Sequence, residues 1–117
     1  MRPFLIPLLV FHTVGWIGMI TSGMFIYVIG TSEKVKIGYT GDLETRLRAL
    51  QCGNPDKLQV YHTALVPEDR ALIMERKIHR ELGHYRIRGE WFRMTPEFAR
   101  SQVDYAMIRW LDDPLLD

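Results

Sequence analysis

The stretch Phe25-Ile26-Tyr27-Val28-Ile29-Gly30, continued by Thr31-Ser32-Glu33-Lys34 and then by Val35-Lys36-Ile37-Gly38-Tyr39-Thr40-Gly41-Asp42-Leu43-Glu44-Thr45-Arg46, decides how this chain folds. Two short apolar runs flank Gly30-Thr31-Ser32-Glu33, the pattern of a β-hairpin. A helix start follows at once: Asp42 is a good N-cap, and Leu43, Leu47 and Leu50 fall on one face. Three polar side chains interrupt this apolar design. Tyr27 lies inside the first strand, Lys36 inside the second, and Arg46 one turn into the helix beside its apolar stripe.

Outward from the hairpin, the first helix runs from about Leu43 to Leu50 and stops before the breaker Gly53-Asn54-Pro55. A third strand is expected over Lys57 to Val66. Alternation puts Leu58, Val60, His62 and Ala64 on one face and Gln59, Tyr61, Thr63 and Leu65 on the other. Pro67 with Glu68 and Asp69 opens a second helix, with acids at the positive end of its dipole. It reaches about Leu82 and is ended by Gly83. A loop from His84 to Met94 holds Gly89-Glu90-Trp91-Phe92. Thr95 then caps a third helix with Pro96 at its first position, and Phe98, Ala99, Val103, Ala106, Met107 and Trp110 supply its apolar spacing. Strand, strand, helix, strand, helix, helix is a small α+β domain: a three-stranded antiparallel sheet flanked by helices. The expected division is an apolar segment over 1–23, the domain over 24–112 and an acidic tail over 113–117.

This order of parts resembles the GIY-YIG nuclease superfamily, in which a strand carrying Gly-Ile-Tyr pairs with one carrying Tyr-Ile-Gly and a helix supplies an arginine. Here the first motif stands as Phe25-Ile26-Tyr27 and the second as Lys36-Ile37-Gly38, with Arg46 eight residues further on. The lysine variant is similar to the phage and bacterial branch whose domains also carry Leu50-Gln51-Cys52-Gly53-Asn54-Pro55 and Gly89-Glu90-Trp91-Phe92. The resemblance covers roughly residues 24 to 95. It implies a DNA endonuclease that hydrolyses phosphodiester bonds with one divalent metal, Mg²⁺ or Mn²⁺. It also implies DNA as a partner and, because longer members add a DNA-binding domain, a further DNA-targeting protein.

Bulk properties set limits. At 117 residues the chain has room for one domain with a modest core. With 47% hydrophobic and 25% charged residues it is not a disordered chain. One cysteine, Cys52, excludes an internal disulfide framework and fits the reducing cytoplasm. His79 and His84 are five apart and Cys52 has no close partner, so no zinc pattern is present. A formal net charge of +1 promises no strong autonomous hold on DNA. The charge is uneven, however. Lys34 to Arg93 holds most of the basic residues, and Asp104, Asp112, Asp113 and Asp117 lie beyond it.

Residues 4 to 20 form an uncharged apolar stretch behind Arg2. Its length is at the lower edge for a membrane helix, and Pro7, His12 and two glycines weaken it. An over-extended start with Met24 as the true first residue, a short membrane anchor, a signal peptide ending near Thr21-Ser22-Gly23 and a packing segment are the readings open here.

The candidate chemistry rests on five residues. On the second helix Ala71, Met74, Ile78 and Leu82 define the inward stripe, and Glu75 projects within or beside it. A carboxylate there costs desolvation unless a cation meets it. An arginine partner and a place at the core rim are the plain alternatives, whereas the resemblance implies that Glu75 is the metal ligand. Tyr27 is either a half-buried strand aromatic or, by the resemblance, the group that takes a proton from attacking water. Lys36 stands where the second motif has tyrosine. An edge-strand lysine that prevents mispairing, a phosphate-binding point charge and a partner or substitute for Tyr27 as base are its three readings. Arg46 either pairs with Glu44 or Asp42 on the helix surface or grips the scissile phosphate. His79 is a satisfied helix histidine, or it orients Glu75 one turn away or contacts phosphate. Trp91 and Phe92 are expected to close the core, with Glu90 as a supporting group behind the site. The rival from another class is a non-catalytic nucleic-acid or protein interaction module on the same fold.

Overall fold

The structure, a computed structural model, describes residues 23–116. The hairpin forms as its apolar runs require. β1 (Gly23–Gly30) and β2 (Val35–Thr40) pair antiparallel from Phe25↔Thr40 to Gly30↔Val35. Asp42 caps α1 (Leu43–Gln51), accepting from the Thr45 main-chain N–H at 3.1 Å. β3 (Gln59–Pro67) pairs with the other side of β1, and α2 (Glu68–Glu81) follows it directly. A 3₁₀ turn (Gly83–Tyr85) leads into β4 (Arg86–Arg88) and β5 (Trp91–Phe92). Thr95 then caps α3 (Pro96–Trp110) by accepting from the Phe98 N–H at 3.2 Å.

The chain is thus a small α+β domain, but its antiparallel sheet has five strands in the order β3-β1-β2-β5-β4, not three. The two added strands arise in the segment expected to be a loop. At three and two residues they are too short to show an alternating pattern, and the Gly89 backbone at φ +57° turns one into the other. Their presence also moves Lys36. It lies in an interior strand opposite Trp91 of β5, which removes the edge-strand reading.

Two apolar layers sandwich the sheet. On one face, Leu43, Leu47 and Leu50 of α1 cover Tyr27, Ile29, Leu58 and Val60. On the other, α2 and α3 bury Met74, Ile78, Ala99 and Val103 against Ile26, Val28 and Ile37. Each such aliphatic side chain taken from water contributes roughly 1.5–3 kcal/mol, and that is what fixes α2 over β1 and β2. The exception to alternation is in β3. Val28 pairs with His62 but Ile29 with Val60, so Tyr61 is an extra residue in a β-bulge. Leu58 and Val60 therefore face α1, whereas Ala64 faces the helical pair and His62 reaches Asp104 of α3 at 2.7 Å. The single face expected for these four residues is split by that bulge, because a one-residue slip inverts every side chain beyond it.

Phe98, expected on the buried stripe of α3, is 36% exposed and instead packs on Tyr85, ring centroids 5.4 Å apart. Past α3 the chain turns back. Arg70 donates to the carbonyls of Trp110 and Asp113 at 2.6 and 2.7 Å, and Leu116 joins the core. No helix among the described residues is long and apolar enough to cross a membrane. The apolar stretch 4 to 20 lies outside the described residues.

Candidate active site at the open edge of the second strand

The site owes its place to the shortness of β5. Of β2 that strand covers only Val35 and Lys36, leaving the main chain of Ile37 to Thr40 without a strand neighbour on that side. Buried backbone polar groups need partners, and side chains from α2 supply them. His79 Nε2 lies 2.7 Å from the Ile37 carbonyl. The Tyr39 main-chain N–H favours the ionised form of the Glu75 carboxyl. The Ile37 N–H goes to the Glu90 carbonyl at 3.4 Å. In this way the last turns of α2 are stitched along the edge of β2, and the Glu75 carboxyl is carried to the end of the hairpin.

There a concavity of about 380 Å³ is lined by Tyr39, Thr40, Arg46, Leu72, Glu75 and Glu90. Arg46 does not pair with Glu44 or Asp42 on its own helix. Arg48 takes Glu44 at 3.3 Å, and Asp42 is occupied by Thr45. Arg46 Nε instead donates to the Tyr27 phenol oxygen at 2.9 Å. Tyr27 is 0% exposed and sits behind Arg46, so it reaches the concavity through the guanidinium. Burial pushes the phenol above its usual value despite the opposing hydrogen bond and charge of Arg46. With the phenol oxygen accepting from Nε, the two terminal nitrogens of Arg46 retain four N–H donors for an anion.

Gly38 is part of the site for a steric reason. Tyr27 and Gly38 are cross-strand partners, and the phenol lies across the glycine. A Cβ at Gly38 would stand 2.5 Å from the Tyr27 hydroxyl oxygen and 2.7 Å from the adjacent ring carbon. Gly38→Ala is therefore expected to displace the phenol and break the Arg46 contact. The overpacking costs about 1–3 kcal/mol, read as a lowered melting temperature together with loss of whatever activity depends on Tyr27.

Lys36 is nearly buried, with its side chain 12% exposed, and forms an ion pair with Glu90 at 3.0 Å. Its ammonium also lies 5.9 Å from the Trp91 ring centroid. Glu90 is thus more than a group in the background: it fixes Lys36 and lines the concavity with Glu75. Glu75 is 7% exposed and, among the described residues, has no ion-pair partner within 4.0 Å. Burial, then the nearby Glu90, push its carboxyl up to about 7, against the pull of Lys36, the Tyr39 N–H and Arg46. His79 is the satisfied histidine. The Ile37 carbonyl can only accept, so Nε2 carries the proton, and burial lowers the imidazole's pKa and keeps it neutral. Its ring packs on Phe92 at 5.1 Å.

An under-neutralised buried carboxylate facing a hollow fits a divalent cation. No cluster of three or more His, Cys, Asp or Glu side chains occurs among the described residues. A cation held by Glu75, with Glu90 the nearest second carboxylate, would keep most of its coordination for water and phosphate, as Mg²⁺ does.

A family model described as the T5orf172 domain matches residues 24–111. The chain belongs to the T5orf172 domain family. Domains of this family are found in phage and bacterial nuclease-like proteins, which is compatible with a nuclease or a DNA-binding module. No curated protein and no solved structure matches the chain. The matched span begins one residue before Phe25 and ends one residue beyond α3, so this T5orf172 domain includes every element that builds the concavity.

Proposed function

We propose that this T5orf172 domain is a GIY-YIG-type DNA endonuclease that hydrolyses a phosphodiester bond with Mg²⁺ or Mn²⁺. One observation carries the reading: a buried carboxylate, Glu75, lines the same hollow as the guanidinium of Arg46, which is bonded to the strand tyrosine Tyr27. Glu75 would hold the cation, which would supply positive charge against the negative charge that develops on the leaving oxygen. Arg46 holds the phosphate through its terminal nitrogens, where charge develops in the transition state. Tyr27, as the phenolate that Arg46 stabilises, takes the proton of the attacking water and becomes the neutral phenol. Lys36, fixed by Glu90, adds a second positive charge beside the phosphate. His79 acts on position alone, by tying α2 to β2.

The pH dependence follows from the two perturbed acids. Glu75 must be ionised to hold a cation, and its carboxyl titrates near 7. Tyr27 must lose a proton, and burial raises its pKa. Both requirements make the cleavage rate climb with pH. A single-turnover profile at sub-saturating metal is expected to rise from about pH 6 and to keep rising through about pH 9, without a descending limb. A fall above neutrality contradicts these assignments.

The non-catalytic module has one observation in its favour: Tyr27 is fully buried, so water reaches the phenol only when Arg46 moves aside. Nicking of supercoiled plasmid by the full chain separates the two readings. Cleavage that needs Mg²⁺ or Mn²⁺ and disappears in Glu75→Gln supports the enzyme. DNA binding that survives chelation, with no nicking, supports the module.

A further inference from the structure

A second hollow, about 550 Å³, has Trp91 in its wall, next in the chain to Glu90 of the candidate site. Its walls come from three turns that the sheet brings together: Thr31 to Lys34, Gly53 to Asp56, and the β4–β5 hairpin. The charge and the apolar surface are interleaved. Arg88 and Arg93 line it with no ion pair among the described residues, while Lys34 is held by Asp56 at 3.6 Å. Between them stand Pro55, the half-buried Trp91 and Ile87, an isoleucine left 43% exposed. Trp91 closes the α1-side core and also forms part of this wall. Glu90 and Trp91 are adjacent in the chain, with one lining the first hollow and the other the second.

This combination selects its ligand. The guanidinium groups suit phosphates, but isoleucine, proline and indole surfaces offer a phosphate nothing. They do suit the face of a base, which a duplex hides by stacking and a single strand leaves available. The volume is in the range that accepts a drug-sized molecule, the size class of a nucleotide. We infer that the second hollow holds an unpaired nucleotide of the DNA strand continuing from the scissile phosphate, which makes a branched or splayed DNA the preferred substrate. The inference deepens the nuclease reading and rests on it for the words "scissile phosphate"; the binding preference itself does not depend on cleavage.

The test uses the full chain with Glu75→Gln, so that DNA is bound and not cut. Fluorescence anisotropy compares a splayed-arm duplex with a blunt duplex of equal length at one fixed salt concentration, since phosphate contacts are salt-dependent. The splayed DNA is expected to bind about tenfold tighter. Arg88→Ala with Arg93→Ala, and separately Ile87→Ala, should remove most of that preference while weakening the blunt duplex less. All three side chains are exposed, so melting curves should be unchanged. Equal affinity for the two DNAs overturns the inference. So does an equal loss on both DNAs in the arginine variant, which marks a general phosphate patch. Preference for splayed DNA in a wild-type chain that never cleaves supports the hollow and removes the nuclease reading. Cleavage without any preference does the reverse.

Discussion

Glu75→Gln is expected to abolish metal-dependent cleavage and, at the same time, to stabilise the metal-free protein. The two effects have one cause. Glu75 sits 7% exposed without an ion-pair partner among the described residues, where an ionised carboxylate is costly. Glutamine has nearly the same shape and keeps an acceptor oxygen. It cannot supply the charge that a cation requires. A Lewis-acidic cation is worth several kcal/mol of transition-state stabilisation, so the rate should fall by about 10³-fold or more. Mn²⁺ binding, followed by electron paramagnetic resonance, should fall with it. The stability gain has a definite pH window. The carboxyl titrates at about 7 in the folded chain against a usual 4.5, so the folded state binds this proton more tightly than the unfolded one. Wild-type stability therefore declines as pH rises from about 4.5 to about 7, relative to the glutamine variant. Below that window the two proteins should melt alike; above it Glu75→Gln should be more stable by at most about 3 kcal/mol. Undiminished nicking by Glu75→Gln would falsify the enzymatic reading. Melting curves that coincide at every pH would show that Glu75 is not the under-neutralised group described above.

What the sequence made legible was whatever has a period. The hairpin, α1 and the inward place of Glu75 follow from spacing alone, because apolar residues recur at two or at three to four positions. Contacts between distant segments carry no such signal. Arg46 meets Tyr27 across nineteen residues, and His79 meets the Ile37 carbonyl across forty-two. A reading of α1 alone offers Glu44 and Asp42 as partners for Arg46, and both are used elsewhere. The bulge at Tyr61 stayed invisible because β3 reads as a continuous alternation, while β1 is what sets its register. β4 and β5 stayed invisible because strands of three and two residues have no period. This last omission mattered most for the site. The end of β5 is what frees the β2 main chain for Glu75 and His79, and β5 is what makes Lys36 an interior residue tied to Glu90. The resemblance of the motifs named Tyr27, Arg46 and Glu75, which the structure brings together, while the physical reason they meet lies in a strand too short to be seen.

Arg46→Ala is expected to lower cleavage by about 10²–10³-fold, the usual loss when one preorganised donor to a developing negative charge is removed. A loss of that size by itself does not separate a phosphate clamp from a prop for Tyr27, because Arg46 Nε holds the phenol oxygen at 2.9 Å. A double-mutant cycle separates them. If Arg46 acts only through Tyr27, then Arg46→Ala in a Tyr27→Phe background should cost almost nothing further. If its terminal nitrogens grip phosphate as well, the second substitution should still cost about tenfold, and KM for a short duplex should rise in addition to the fall in kcat. Arg46→Lys sharpens the distinction: an ammonium keeps the charge but not the planar fork, so it cannot serve the phenol and a phosphate together. The geometry, with one nitrogen engaged by Tyr27 and four N–H donors left toward the hollow, leads to the second outcome: a residual cost in Tyr27→Phe, and only partial recovery with lysine. Strict non-additivity, with lysine fully active, would instead make Arg46 a support for Tyr27 and leave Lys36 as the phosphate-binding charge.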